Sequence, residues 1–550
     1  MDSIDKAENA VSREKSSLLG FAVTKKTQDG NIQVSFRWGR LLICLLLLVC
    51  ISWCCVGGGL YLWFKYNKEF DSVRLSGMLT LPFRMEEHRK EMGDYHVKKG
   101  LELLEDENYS DALRLLRLGV TRSPGNLEGI KVLAVFYEKW IKRPDIAADL
   151  LIKGLTKGNG IDDEDYLKVT LSNLHYNQMD KAIQTIAEEH LPTVVEFTRR
   201  NKILAYSSAK SHTLRGNFDR ADELIRSYEL MDDLDGLLLS AEISWARGNK
   251  LSAISKLEVS VEKFSNAETL LMALCKYNRE MEKYDEARRY AILRNASAPL
   301  SVGPKIELLY IYKQSGDLDR EEKETLRILK QFRGDRKALL ALANFSADTG
   351  NIDLARRTYE EALENELKID PFALLLIEAH LVATDYKGAL SFAEELLNER
   401  PDWLEKHWAT FCSLRSVASF GNNRSDLGEI YLQEFLSSSS KNYHPERSLA
   451  VANRFRIIDC HQQARTVLLA AYKESINHQK VLSELISVEL EIGNTENLNT
   501  LLKQLLTMRR PEAKLIAQAY KKLGSDRFIF TPNRENLLIE LNAELRERAL

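Results

Sequence analysis

ENYSDALRLLRLGVTRSPGN, residues 107–126, is the stretch whose reading decides the fold. Tyr109, Ala112, Leu113, Leu116, Gly119 and Val120 follow the i, i+3, i+4, i+7 spacing of a helix with one core-facing stripe, and Pro124 marks its end. The pattern recurs along the chain. GNFDRADELI begins at Gly216, GNKLSAISKL at Gly248, EKYDEARRYA at Glu282, GDLDREEKET at Gly316, GNIDLARRTY at Gly350 and TDYKGALSFA at Thr384.

A small residue early in each such helix acts as a ruler. It falls at Ala112, Ala147, Ala182, Ala221, Ala253, Ala287, Ala355 and Ala389, with Glu321 standing in the series as a departure. The steps are 35, 35, 39, 32, 34, 34, 34 and 34 residues, and weaker copies continue through Gly428, Ala464 and Leu498. A period near 34 residues means stacked helix pairs. A small residue lets two antiparallel helices approach, and Gly-Asn or Gly-Asp supplies the turn between them, because glycine accepts a positive φ after the first helix.

On these residues the sequence resembles the tetratricopeptide repeat superfamily over roughly residues 90–510. Gly100, Ala112, Leu116 and Pro124 match the family's small, alanine, large apolar and proline positions in one repeat. Pro299 and Pro401 close two others, whereas Leu367 stands where the proline would be in the repeat of Ala355. The resemblance implies an all-α fold, a right-handed α-solenoid of about 11–12 helix pairs. It also implies a concave groove, lined by the first helix of each pair, that takes a protein or extended peptide. Mapped onto this sequence, the lining is Tyr206, Lys210, Glu242, Trp245, Lys276, Arg279, Lys337, Asn344 and Glu378. Trp245 with Lys276 and Arg279 is the most suggestive part, since Trp and Arg dominate interface hot spots. The family's clamp for a C-terminal carboxylate needs Lys and Asn where this chain has Val97 and Leu101.

Upstream of the repeats, Leu41–Phe64 is 24 residues without a charge, LLICLLLLVCISWCCVGGGLYLWF. At ~1.5 Å per residue it spans a hydrocarbon core of about 30 Å, with Trp38, Trp53, Tyr61, Trp63 and Tyr66 as interfacial anchors. The run is too long and starts too deep for a cleaved signal, and no small-residue cleavage site follows. The expected organisation is a mostly disordered cytoplasmic tail over residues 1–36, a transmembrane helix with its flanks over 37–66, a stalk over 67–90, repeats over 91–523 and a capping helix over 524–550. Basic residues near the span balance on its two sides. Long C-terminal domains translocate largely regardless of charge, so the tail is expected in the cytoplasm and the repeats outside it, as at a bacterial inner membrane.

Charged residues make up 29% and aromatics 8% of the 550 residues, and the net charge is −3, which suits long helices and excludes the strong positive field of a nucleic-acid binder. Four of the seven cysteines, Cys44, Cys50, Cys54 and Cys55, lie in the apolar run; Cys275, Cys412 and Cys460 are far apart, so neither a disulfide framework nor a zinc site is indicated. No phosphate loop, dinucleotide fingerprint, metalloprotease or nucleophile-elbow motif occurs, and no cofactor is expected. Cys275 takes a small-residue packing position, and His212 and His380 fall within first helices as packing or turn residues. The reading is therefore a non-enzymatic membrane scaffold. By analogy with membrane-tethered repeat proteins of bacteria, it would serve an envelope, secretion, pilus or polysaccharide-export assembly. The alternative is a cytosol-facing organelle receptor or chaperone adaptor, and an enzyme or its regulatory subunit comes last.

Overall fold

A computed structural model describes residues 15–17, 22–26, 32–36, 38–68, 70, 73–264, 267–439 and 444–549. From Trp38 onward, every regular element among them is helical. The helices arise where the periodicity puts them. Gly350 ends the helix Arg336–Thr349 with a left-handed φ of 68°, and Asn351 then caps the helix Ile352–Glu364 by accepting from the Leu354 amide at 3.0 Å. Gly316 and Asp317 divide the same two tasks at the preceding turn, with φ 75° and a 3.3 Å bond from the Arg320 amide.

A left-handed residue occupies every turn of the series. It is glycine at 216, 248, 316, 350 and 493, but Glu107, Lys142, Gln178, Glu282, Thr384, Asn423 and Asp459 elsewhere. At those seven positions packing of the two helices outweighs a strain of roughly 1 kcal/mol each. This is why the turn motif fades in the weak repeats while the fold continues. The chain has the tetratricopeptide-type helical-repeat fold, an all-α solenoid built of paired helices.

Two units divide the chain, residues 1–177 and 178–550. The first contains the pairs Met85–Glu105 with Tyr109–Arg122 and Leu127–Val135 with Pro144–Lys157, then the helix Glu164–Tyr176. The second opens with Asp180–His190, which packs on Arg199–Arg215, and runs to Arg534–Ala549. That last helix buries Leu537 and Leu541 against its neighbours and pairs with Ala513–Leu523, so it is the second helix of a pair as well as the predicted terminal helix.

The small-residue ruler is buried at Ala112, Ala147, Ala221, Ala253, Ala287, Ala355, Ala389 and Ala464. Two positions depart. Ala182 is only half-buried, because the helix starts at Asp180 and sets Ile183, Ile186 and Ala187 inward instead. Glu321 is buried at an alanine position; burial holds its carboxyl above the usual range, and Lys313 Nζ stands 3.8 Å away.

Residues 1–36 differ from the expected disordered tail. Lys15–Ser17 (β1), Ala22–Lys26 (β2) and Ile32–Phe36 (β3) form an antiparallel meander in which Lys26 faces Ile32 and Ala22 faces Phe36. The alternation in IQVSF and the Asp29-Gly30 pair before it are the hairpin signal the composition masked; the connecting residues lie outside those described.

The expected stalk over 67–90 is also packed. The helix Trp38–Leu62 (α1) is long and apolar enough to cross a membrane and continues through a wider turn, Trp63–Asn67. The short helix Leu75–Leu79 (α2) lies against it, and Met85–Glu105 (α3) follows. Phe70 is fully buried, its ring 4.7 Å from Tyr95 and 6.4 Å from Phe64, while the Tyr95 hydroxyl donates to the Lys68 carbonyl at 2.7 Å. Isolated apolar residues in a charged sequence gave no period to read, yet they tie α1 to α3.

The second unit also closes on itself. Asp180, buried at the first turn of its helix, receives both Nε and Nη2 of Arg509 at 2.9 Å, across 329 residues. Beside this pair, the Arg510 amide donates to the Leu214 carbonyl at 2.8 Å and Arg215 Nη2 to the Thr507 carbonyl at 3.1 Å. The Arg510 guanidinium sits 4.9 Å from the ring centre of Phe218.

Candidate functional site

The first helices of the pairs in the second unit carry the predicted lining residues. Tyr206 and Lys210 come from Arg199–Arg215, Glu242 and Trp245 from Leu234–Ala246, and Lys276 and Arg279 from Glu268–Glu280. Each helix places its residue on the shared face because the opposite stripe is core: Leu237, Ala241 and Ile243 in one, Leu270, Leu271 and Leu274 in the next.

Trp245 lies flat on Tyr277, with ring centres 4.1 Å apart and planes 7° from parallel, and Lys250 Nζ is 5.1 Å from the indole centre. Parallel stacking at that distance fixes both rings and leaves a rigid aromatic step. Around it, charges are coupled. The Glu242 carboxyl is reachable by solvent but hemmed in by protein, and that burial raises its pKa against the opposing pull of Lys210 and Lys276. The phenols of Tyr206 and Tyr277 are pushed up to about 12, by burial first and then by nearby carboxylates, Glu242 among them. Five predicted residues, Tyr206, Lys210, Glu242, Trp245 and Lys276, therefore form one patch. Tyr277 belongs with them; its place directly after Lys276 on a helix of known phase was the signal for it.

Arg279 has a different part. Its Nη1 meets Glu307 Oε1 at 2.5 Å, and the Cys275 thiol points at the same oxygen from 3.6 Å. The guanidinium is thus engaged within the protein. Burial pushes the Cys275 thiol up to about 12, which keeps it protonated and unreactive at neutral pH. His212 and His380 are buried; Gln184 Nε2 lies 3.4 Å from His212, and His380 Nδ1 lies 2.8 Å from the helix-capping Asp385.

Farther along, Lys337 is exposed in the first turn of its helix and Asn344 bonds its own helix at the Leu340 carbonyl, 2.8 Å. Neither joins the Trp245 patch. Glu378 belongs to a second cluster. It pairs with Arg454 of the helix Pro445–Ile457; Asp348, near enough to favour the charged guanidinium, accepts from the Tyr310 hydroxyl at 2.5 Å. Burial lowers the Arg454 pKa and Asp348 offsets part of that. Arg454, Asp348 and Tyr310 went unread because Arg454 lies in a repeat of weak register.

No protein-family model matches the sequence, and no curated protein matches it. Among solved structures the chain is similar to yeast Tom70, with 14% identity over 77% of this chain and 98% of that one and a TM-score of 0.32. It is also similar to the Cut9–Hcn1 hetero-tetramer of APC/C, with 13% identity, 82% and 96% coverage and a TM-score of 0.26. The P58(IPK) TPR domain gives 15% identity, 75% and 98% coverage and a TM-score of 0.19. Scores this low carry no argument about this chain; the fold rests on the helix pairs, the buried small residues and the left-handed turns.

Proposed function

We propose that this chain is a membrane-tethered scaffold that captures a protein segment on the first-helix face of its second unit. The single feature that carries the reading is the Trp245–Tyr277 stack with Lys210, Glu242 and Lys276 around it. A fixed aromatic step accepts an apolar or aromatic anchor with little loss of freedom, and the surrounding charges pair with an anchor's polar flanks. The α1 helix is the tether. The basic residues Lys6, Arg13, Lys15, Lys25, Lys26, Arg37 and Arg40 before it favour a cytoplasmic tail, with the repeats across a bacterial inner membrane. There the scaffold serves an envelope, secretion, pilus or polysaccharide-export assembly. The test is a photo-cross-linking amino acid at Lys276, with Val259 as the control, in membranes of the native host. A discrete adduct from 276 that disappears in Trp245→Ala supports capture at this patch. Equal adducts from both positions, or adducts indifferent to Trp245, would refute it.

A further inference from the structure

The segment LSGMLTLPF, residues 75–83, carries no charge, and it folds back alongside α1 instead of leaving it. Gly57 is the only buried residue of α1, and a Cβ there would meet Leu79 Cδ2 at 2.9 Å, so the glycine makes room for α2. Trp53 Nε1 donates to the Leu79 carbonyl at 2.7 Å. Gly57 and Trp53 precede Trp63 by 6 and 10 residues, about 9 and 15 Å down the helix at 1.5 Å per residue, well inside the apolar run.

The backbone here is satisfied without water. The Thr80 amide donates to the Ser76 carbonyl at 3.1 Å, Phe83 to Thr80 at 3.0 Å and Arg84 to Leu81 at 3.1 Å. The Thr80 hydroxyl donates to the Ser76 carbonyl at 2.9 Å, Pro82 has no amide to satisfy, and the indole takes the helix-end carbonyl of Leu79. Hydrocarbon imposes that closure; a water-facing turn does not need it. At the same time the segment turns apolar side chains outward: Phe83 is 93% exposed, Met85 67% and Leu75 47%, continuous with the exposed leucines of α1.

We infer that residues 75–85 form a lipid-inserted wedge, held to α1 by Gly57 and Trp53, that enters the bilayer leaflet on the side of the repeats. This rests on α1 being a membrane span. The wedge gives the first helix pair a fixed bearing on the membrane surface, with Arg84 held by Glu87 and Glu91 where the chain leaves the lipid. A fluorescent non-natural amino acid, placed singly at Phe83, Leu46 or Val259 of the full chain, tests it in nanodiscs containing acyl-brominated phosphatidylcholine. Quenching at 83 should approach that at mid-span 46 and exceed that at 259 severalfold. If 46 is quenched and 83 is as unquenched as 259, the wedge is wrong and the span stands. If 46 is unquenched too, both readings fall.

Discussion

The two clusters on the first-helix face use similar residues to opposite ends. Around Arg454, each charged group is answered from another helix: Glu378 pairs with it, Asp348 favours its charge, and Tyr310 donates to Asp348. Around Trp245 the aromatic step is built, but Lys210, Glu242 and Lys276 are coupled only through space, apart from a long 3.9 Å contact of Lys276 to Glu280 on its own helix. Charges answered by other helices brace the scaffold; charges left over beside a rigid aromatic pair are available to a partner. Arg279 illustrates the boundary, since it stands in the sequence like a partner-binding cation and is engaged by Glu307.

The largest expected effect lies at the closure of the second unit, the extreme case of bracing. Arg509→Ala leaves the Asp180 carboxylate buried without its bidentate partner, which costs about 3–5 kcal/mol. Denaturant unfolding of the detergent-solubilised chain should show a markedly lower midpoint for the region 178–550, with unchanged helicity before the transition. An unshifted midpoint would mean that the two ends of the unit separate in solution.

Arg454→Ala comes next. Arg454 is mostly buried and its partner Glu378 less so, and the loss should be roughly 2 kcal/mol by the same measurement. Glu242→Gln, in the other cluster, should leave the midpoint unchanged or raise it slightly, because it removes a carboxylate whose pKa is already raised by burial. Such a raised carboxyl favours the folded state at low pH and loses that contribution as pH rises through its folded pKa. The Gln variant should therefore lack the corresponding slope in stability above the normal glutamate range. If both variants destabilise alike, the distinction between the clusters fails.

A finer comparison uses two glycines of the same backbone geometry. Gly216 and Gly248 have φ of 86° and 87°, but a Cβ at 216 meets Arg510 Cδ at 2.8 Å, whereas none at 248 meets anything within 4 Å. Alanine at 248 should cost about 1 kcal/mol through backbone strain alone, and alanine at 216 roughly 1 kcal/mol more through the closure. Equal costs would again argue that Arg510 leaves Phe218 in solution.

What could be read from the sequence follows from what each feature needs. Nearest-neighbour packing repeats with the chain, so Ala112 through Ala389 and Gly-Asn turns announce it at a constant step. The Trp245 patch was legible for the same reason, because its helices have the clearest phase. Closure between Asp180 and Arg509 involves one residue from each end and has no period. Glu321 and the seven non-glycine left-handed turns show the converse, positions where tertiary packing overrides the local rule. The fold-back of α2 onto Gly57 was hidden because three adjacent glycines in an apolar helix do not say which of them is approached, or by what.

The most direct test of the central claim is the affinity of the segment cross-linked from position 276, measured by fluorescence anisotropy against the wild-type chain and Trp245→Ala in detergent. The account predicts a loss of about thirtyfold, corresponding to ~2 kcal/mol for a hot-spot aromatic, with helicity and unfolding midpoint nearly unchanged. An affinity within twofold of wild type in the folded variant would contradict it, and the first-helix face around Trp245 would then be an ordinary solvated surface.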